Sequence, residues 1–203
     1  PHAGGGAQGE HSIAAVLRRP AIIAFFAAIF LMQVAHGPYY TFYTIYLTGY
    51  GYSESLLGGL WALGVTAEVL LFLVMHRVLS RWGARRVLIA SLLIAGSRWL
   101  LIAYFPQSLS LVILAQLLHA ATFGAFHAAS IHLVHHYFVG RLRGRGQALF
   151  SSLSYGAGGA VGALVSGLTW ESWGPAATLV AATAVSLLGA WLAWRYIDPA
   201  HDH

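Results

Sequence analysis

Three ionisable residues lie inside long apolar segments of the sequence: Glu68, Arg98 and His119. A charged side chain at the centre of a lipid bilayer costs about 2.5–3.5 kcal/mol, so such residues usually face an interior cavity. An acid, a base and an imidazole on neighbouring helices can balance one another's charge and exchange partners when one of them is protonated. A proton-coupled carrier needs this chemistry, and the alternative is a structural ion pair that fixes helix packing.

Polar and aromatic side chains accompany these charges along two apolar segments. At about 100° per residue, one face of the segment around His119 carries an amide, two imidazoles and two phenyl rings. The members of this face are Gln116, His119, Phe123, Phe126 and His127. An earlier segment has a similar face, whose members are Gln33, His36, Tyr40, Tyr43 and Thr44. We predict that both faces line a hydrated substrate cavity.

The composition excludes a water-soluble globular domain as the setting for these residues. Of the 203 residues, 58% are hydrophobic and 8% are charged, against roughly 25% charged in an average soluble domain. The eleven arginines lie in short clusters between apolar stretches and there is no lysine, which also argues against a nucleic-acid-binding module. Since the chain has no cysteine, a disulfide framework, a thiolate zinc site and a cysteine nucleophile are excluded.

Six apolar segments follow a polar, glycine-rich beginning. Each is close to the roughly 20 residues that a helix needs to cross the hydrocarbon core, and none alternates like a strand of a membrane β-barrel. The predicted spans are residues 20–47, 56–78, 87–105, 109–137, 147–168 and 175–196. The sequence therefore predicts an all-α membrane protein with six transmembrane helices. Residues 20–197 form the predicted bundle, 1–19 a cytoplasmic linker and 198–203 a cytoplasmic tail.

Arginine placement predicts the orientation of the bundle. Ten of the eleven arginines flank the termini and the second and fourth connections, which lie on one side if the chain crosses six times. The opposite connections hold Glu54 and Glu171 and no arginine. The positive-inside rule therefore predicts that both termini lie on the cytoplasmic side, and we expect a multi-pass protein of the cell (inner) membrane.

Small residues in the fifth segment indicate close helix packing. Gly158 and Gly162 form a G-x-x-x-G pattern, and small side chains let membrane helices approach closely. In the first segment, Gly37 and Pro38 predict a kink that frees a backbone carbonyl for a neighbour or for water.

Several segments resemble a known family of membrane carriers. The six-span unit and the connection SRWGARR resemble the C-terminal half of a major facilitator superfamily transporter. Within that superfamily, the chain resembles the 3-phenylpropionate permease group, related to lactose-permease-type proton symporters, through MQVAHGPYYTFY, GGLWALGVTAEV, SRWLLIAYFP, LHAATFGAFHAA and GRGQALFSSLSYGAGGAVG. The resemblance implies a twelve-helix fold to which this chain supplies the last six helices. We expect the chain, which starts at Pro1, to be cut from a longer one, with the missing N-terminal six-helix half as its partner.

The resemblance also marks a cytoplasmic loop motif. Its matching positions are Arg81, Gly83, Arg85 and Arg86. The superfamily usually has an aspartate where Ser80 stands and a basic residue where Ala84 stands. The gating contacts of that aspartate are therefore not expected on this side.

The resemblance also suggests roles for charged residues, although one charged position of the related family is not charged here. Arg98 and His119 occupy settings similar to the arginine and histidine of the lactose-permease type. The coupling carboxylate that follows the histidine by three residues in that type is Thr122 here. We therefore expect Glu68, one helix earlier in the sequence, to supply the carboxylate.

Together these observations predict half of a proton-coupled symporter that moves a small, aromatic organic acid by alternating access. Arg98 is expected to act as anion anchor or counter-charge, while the aromatic side chains hold a phenyl ring. The expected partners are the substrate, protons and the lipid bilayer, with no nucleic acid, cofactor, metal or catalytic residue. The alternatives are a sugar or nucleoside proton symporter and a non-transporting scaffold or receptor.

Overall fold

Helices account for nearly all of the chain in the computed structural model, which describes residues 13–198. A backbone inside a bilayer must satisfy its own hydrogen bonds, and a helix does so within one segment. The α-helices are α1 Ile13–Leu17, α2 Pro20–Thr48, α3 Glu54–Phe72, α4 Met75–Trp82, α5 Ala84–Tyr104, α6 Leu109–Leu117, α7 Phe126–Tyr137, α8 Arg143–Ser151, α9 Gly159–Trp173 and α10 Pro175–Tyr196. Two π-helical segments, Ala120–Ala125 and Ser152–Gly158, join α6 to α7 and α8 to α9, and a 3-10 turn covers Gly140–Leu142.

Six helical stretches are long and apolar enough to cross a membrane. In chain order, the first to the sixth span are Pro20–Thr48, Glu54–Phe72, Ala84–Tyr104, Leu109–Tyr137, Gly140–Trp173 and Pro175–Tyr196. The prediction of an all-α fold with six membrane-spanning helices is thereby confirmed.

The second span is shorter than the sequence predicted. Helix α3 ends at Phe72, and the separate helix α4 begins at Met75, after two intervening residues. The 19 residues of α3 already cover about 28 Å, close to the thickness of the hydrocarbon core. Because α4 carries Arg77 and Arg81 beside apolar residues, it is amphipathic and does not extend the apolar span.

The predicted cytoplasmic linker is partly helical. Within it, α1 packs onto the core through Val16, which is 4% exposed. The rest of the predicted linker, residues 1–12, and the end of the predicted tail, residues 199–203, lie outside the described residues.

Burial divides the spans into central and peripheral ones. In the most apolar stretch of each span, 61% of the first and 56% of the third are buried, against 17% of the second and 22% of the fifth. Helix α10 packs against both α2 and α5, while α3 packs mainly against the π-helical segment of the fourth span. The second and fifth spans therefore leave much of their apolar surface exposed.

The first and fifth spans meet backbone to backbone. A Cβ at Gly162 would lie 2.9 Å from the carbonyl oxygen of Val34, and one at Gly158 would lie 3.0 Å from atoms of α2. Pro38 lies within α2 and has no N–H to donate to the Val34 carbonyl, so the oxygen that proline frees faces Gly162. A Cβ at Gly37 would collide with the carbonyl group of Gly162. Glycine at these positions permits a contact that no other residue allows.

Candidate functional site

A π-helical segment sets the rotation of side chains along the fourth span. Because it inserts one extra residue into the helix, a face drawn at 100° per residue does not continue across it. His119 and Phe123 do share a face, with ring centroids 5.3 Å apart and planes 15° from parallel. Phe126, placed on that face by the sequence, is instead fully buried in the hydrophobic core.

Glu68 and His119 come together between the second and fourth spans. Glu68 Oε2 lies 3.8 Å from His119 Nε2, and the two side chains are 15% and 6% exposed, respectively. Gly124 makes room for the acid, since a Cβ there would lie 2.9 Å from Glu68 Cγ. His119 Nδ1 has no hydrogen-bond partner within residues 13–198. The two groups are too far apart to share a hydrogen bond, so neither is held in one charge state by the other.

Arg98 lies on the third span and is fully buried among neutral groups. Its Nε donates to the Ala115 carbonyl at 2.7 Å, its Nη2 to Gln116 Oε1 at 3.1 Å, and its Nη1 to Thr122 Oγ1 at 3.4 Å. The guanidinium carbon also lies 4.1 Å from the ring centroid of Tyr39, a cation–π contact. No hydrogen bond of Arg98 within the described residues goes to a carboxylate. Neutral dipoles, rather than a counter-ion, therefore hold this charge.

Gln116 connects Arg98 to two further helices. Its Oε1 accepts from the Tyr39 hydroxyl at 3.0 Å as well as from Arg98, while its Nε2 donates to the Leu60 carbonyl at 3.2 Å. The amide thus links α2, α3 and α5 to the fourth span. We call Arg98, Gln116, Tyr39 and Thr122 the arginine cage.

An accessible aromatic surface lies next to the Glu68–His119 pair. Tyr40 is 48% exposed, and its ring lies 6.3 Å from that of Trp61, with planes 19° from parallel. Phe123 meets Tyr40 edge-on at 6.5 Å, and the Trp61 indole N–H donates to Thr44 Oγ1 at 3.1 Å. We call Tyr40, Trp61 and Phe123 the aromatic surface. It presents parallel and perpendicular ring faces of the kind that pack against a planar apolar ligand.

Three other predicted cavity residues of the first span are buried within the bundle. His36 is fully buried, donates from Nδ1 to the Met32 carbonyl at 2.8 Å, and packs edge-on against Trp99. Gln33 and Tyr43 are 4% and 2% exposed. The structure therefore separates these side chains from exposed Tyr40 and Thr44, although all lie on the same predicted face.

His127 makes a polar contact to the fifth span. Its Nδ1 lies 2.7 Å from the Tyr155 hydroxyl, and Tyr155 belongs to the second π-helical segment. The Tyr155 ring also lies 5.9 Å from that of Phe123. The half-buried His127 thus lies beyond the aromatic surface, at the junction of two spans.

The loop motif links the third span to the end of the sixth. Gly83 has a φ of 77°, a left-handed conformation that favours glycine between α4 and α5. Arg85 donates from Nε to the Ile197 carbonyl at 2.8 Å and from Nη2 to the Trp194 carbonyl at 2.7 Å. It therefore satisfies backbone acceptors at the C-terminus of α10. The other two arginines of the motif, Arg81 and Arg86, are exposed.

Sequence reasoning missed Tyr39, Trp61 and Tyr155. A helical wheel of the second span contains a usable signal for Trp61, because it lies seven residues before Glu68 and so within about 20° of it. Tyr39 lies about 40° beyond Tyr43, just outside the predicted face of α2, and the sequence does not reveal the buried guanidinium that it contacts. Tyr155 lies in a π-helical segment, whose altered rotation a regular wheel does not describe.

Comparisons with known proteins agree with the helical architecture. The profile of the MFS_1 like family matches residues 3–181. Over 154 residues, or 74% of this chain, the sequence is 33% identical to the probable 3-phenylpropionic acid transporter of Escherichia coli (strain K12). The chain spans 39% of the length of that relative. These matches confirm the resemblance predicted from the sequence.

Proposed function

Because the chain belongs to the MFS_1 like family, whose members are membrane transporters and not enzymes, we propose that it forms part of a proton-coupled symporter for a small aromatic organic acid. One observation carries the proposal: the Glu68–His119 pair adjoins the aromatic surface, so a proton site and a ring-binding site share one location. The similarity to a probable 3-phenylpropionic acid transporter of E. coli supports an aromatic carboxylate as substrate.

The proton site would work by charge compensation. With one proton, the Glu68–His119 pair is neutral overall, and with two it carries one positive charge. A carboxylate anion is costly to bring into a membrane cavity, and a second proton on the pair offsets that cost. Substrate and proton would therefore bind and leave together, as symport by alternating access requires.

The substrate ring would pack on the aromatic surface. Tyr40 and Trp61 offer nearly parallel faces, Phe123 offers an edge, and all three are accessible. Such rings stabilise a bound phenyl group by area burial and by offset or edge-to-face contact. The acid group of the substrate would then point towards His119, which stacks on Phe123.

Arg98 would serve as a counter-charge rather than as a direct anchor. It is fully buried, and its donors already contact neutral oxygens of Ala115, Gln116 and Thr122. Its positive charge is therefore held close to the fourth span without contacting the substrate. Through this charge, it would favour an anion in the neighbouring cavity.

We also propose that the chain pairs with another six-helix half in the cell (inner) membrane. The exposed apolar surfaces of the second and fifth spans and the 39% coverage of the E. coli relative support this arrangement. Residues 20–197 would form the bundle, with the arginine-rich end and both flanking segments on the cytoplasmic side.

Proton movement tests the proposal. Full-length protein is reconstituted in de-energised vesicles, and external pH is recorded after adding 3-phenylpropionate, a sugar or a nucleoside. We expect alkalinisation with 3-phenylpropionate alone. Glu68→Gln should reduce the alkalinisation at least about tenfold, because the amide cannot bind the second proton. The matched control, Glu171→Gln, changes an exposed carboxyl and should leave the signal unchanged.

Other outcomes assign the protein differently. A signal with the sugar or the nucleoside alone would retain proton coupling but replace the substrate class. Uptake of 3-phenylpropionate without any pH change would contradict coupling. No binding or transport of any of the three compounds would favour a scaffold or receptor.

Trp61 tests the ring site separately from the proton site. Trp61→Ala should weaken 3-phenylpropionate binding about tenfold, because one face of the aromatic surface is lost. The same change should affect an aliphatic acid of equal length much less. Trp191→Ala, at a 49% exposed position on α10, is the control. Equal losses for both acids would contradict a ring-binding role.

A further inference from the structure

An apolar cavity of about 280 Å³ lies between α4, α5 and neighbouring parts of the second and fourth spans. Its lining shares no residue with the Glu68–His119 pair, the arginine cage or the aromatic surface. From Val87 to Ile94, it follows α5 for about 10 Å. Of its ten lining residues, Ser91 is the one with a hydroxyl group. The cavity is thus suited to a hydrocarbon chain rather than to a polar solute.

Helix α4 gives one end of this cavity a charged border. Met75, Val78 and Trp82 line the cavity and recur at the spacing of one helical face. On the same helix, Arg81 lies about 60° and Arg77 about 100° around the axis from Val78, and both are exposed. Hydrocarbon-lined and cationic surfaces therefore lie side by side on a single amphipathic helix.

The position of α4 matches a membrane interface. The helix follows directly after a span, and Trp82 is 56% exposed at its end, as expected for an aromatic residue at the headgroup level. Arginines next to membrane helices attract anionic lipids, and basic pockets between such helices bind their headgroups. The apolar cavity and the arginines beside it thus match a molecule that has both a hydrocarbon chain and an anionic headgroup.

We propose that this cavity binds an anionic phospholipid, with one acyl chain between α4 and α5 and the phosphate against Arg77 and Arg81. The chain is held by contact with apolar side chains such as Val78 and Ile94. The phosphate is held by charge-assisted hydrogen bonds from the two guanidinium groups. The site is independent of the transported substrate.

Lipid titration of the purified, delipidated full-length protein tests this site. Dioctanoyl phosphatidylglycerol is added in detergent, and bound lipid is counted by native mass spectrometry. We expect one lipid to bind more tightly than dioctanoyl phosphatidylcholine does. Arg77→Gln/Arg81→Gln should weaken phosphatidylglycerol binding roughly 25-fold, from about fivefold for each arginine. Ala90→Phe should block the site, because the added ring occupies the cavity.

Two matched controls separate the site from general effects. Arg143→Gln/Arg145→Gln removes two exposed arginines from another loop, and Val180→Phe adds a ring to an exposed face of α10. Both should bind phosphatidylglycerol like the unmodified protein. Equal binding of the two lipids, or equal loss in the Arg143/Arg145 variant, would overturn the proposal. So would full competition by inorganic phosphate with no effect of Ala90→Phe, which would identify a free-anion site.

Discussion

Arg98 and the Glu68–His119 pair are both ionisable sites within membrane spans, but their surroundings differ. Arg98 is fully buried and donates to oxygens of three neighbouring residues. Glu68 is 15% exposed, and its 3.8 Å contact with His119 lies beyond hydrogen-bond length. Arg98 is thus surrounded by hydrogen-bond acceptors. Glu68, by contrast, is partly accessible, and His119 Nδ1 has no hydrogen-bond partner within residues 13–198.

The difference indicates how to separate structural from functional charges in a membrane bundle. A buried charge whose donors are satisfied by fixed dipoles is costly to move, because every partner would lose its hydrogen bond at once. A group with few partners can change protonation or ligand at low cost. We therefore expect hydrogen-bond satisfaction, more than residue type, to indicate which intramembrane ionisable group changes its protonation during transport.

The largest expected effect comes from removing the buried cation. Arg98→Ala should lower the free energy of unfolding by about 3 kcal/mol or more, because it leaves a cavity and deprives three acceptors of their donor. Titration with SDS in mixed micelles measures this change. Arg143→Ala, at an exposed position, should change it by less than about 0.5 kcal/mol. A fully stable Arg98→Ala variant that lost only transport would reverse the comparison.

An intermediate effect is expected for a single partner in the arginine cage. Tyr39→Phe removes the hydroxyl that donates to Gln116 at 3.0 Å but keeps the ring beneath Arg98. The free energy of unfolding should fall by about 1 kcal/mol. Tyr43→Phe is the matched control, since the Tyr43 hydroxyl has no hydrogen-bond partner within residues 13–198. Equal losses in the two variants would mean that the cage hydrogen bond contributes nothing specific.

The smallest effect on stability is expected at the proton pair. Glu68→Gln should change the free energy of unfolding by less than about 1 kcal/mol, because the amide keeps the size of the acid and the 3.8 Å contact that it alters is too long for a hydrogen bond. The same titration, run beside the proton-uptake assay, separates stability from coupling. If Glu68→Gln destabilised the protein as much as Arg98→Ala, the pair would be structural and the contrast between the two sites would fail.

The sequence predicts the six spans and the three intramembrane ionisable residues because both signals are local. Apolar length alone identifies a span, and a charge within it is visible without any knowledge of packing. The second span was the exception, since an amphipathic helix follows it after a short break. Hydropathy did not distinguish the apolar face of that helix from a continued span.

The partners of those residues depend on packing that the sequence does not encode locally. Arg98 is held partly by the backbone carbonyl of Ala115, and any residue type could provide such an acceptor. Phe126 is buried in the core and follows a π-helical segment that nothing in the neighbouring residues signals. Gly158 and Gly162 were identifiable as small residues, but their contact with α2 required the three-dimensional arrangement.

The meeting of Gly162 with Val34 has an evolutionary consequence. Every amino-acid replacement of a glycine adds at least a Cβ, and at Gly162 that atom would lie 2.9 Å from the Val34 oxygen. A change at Gly37 cannot compensate, because a Cβ at Gly37 would itself collide with Gly162. At Gly167 an added Cβ meets nothing within 4 Å. Gly162 and Gly167 lie five residues apart on one helix, yet they should differ sharply in how often evolution replaces them. Any side chain at position 162 would collide with α2, whereas position 167 has room for one.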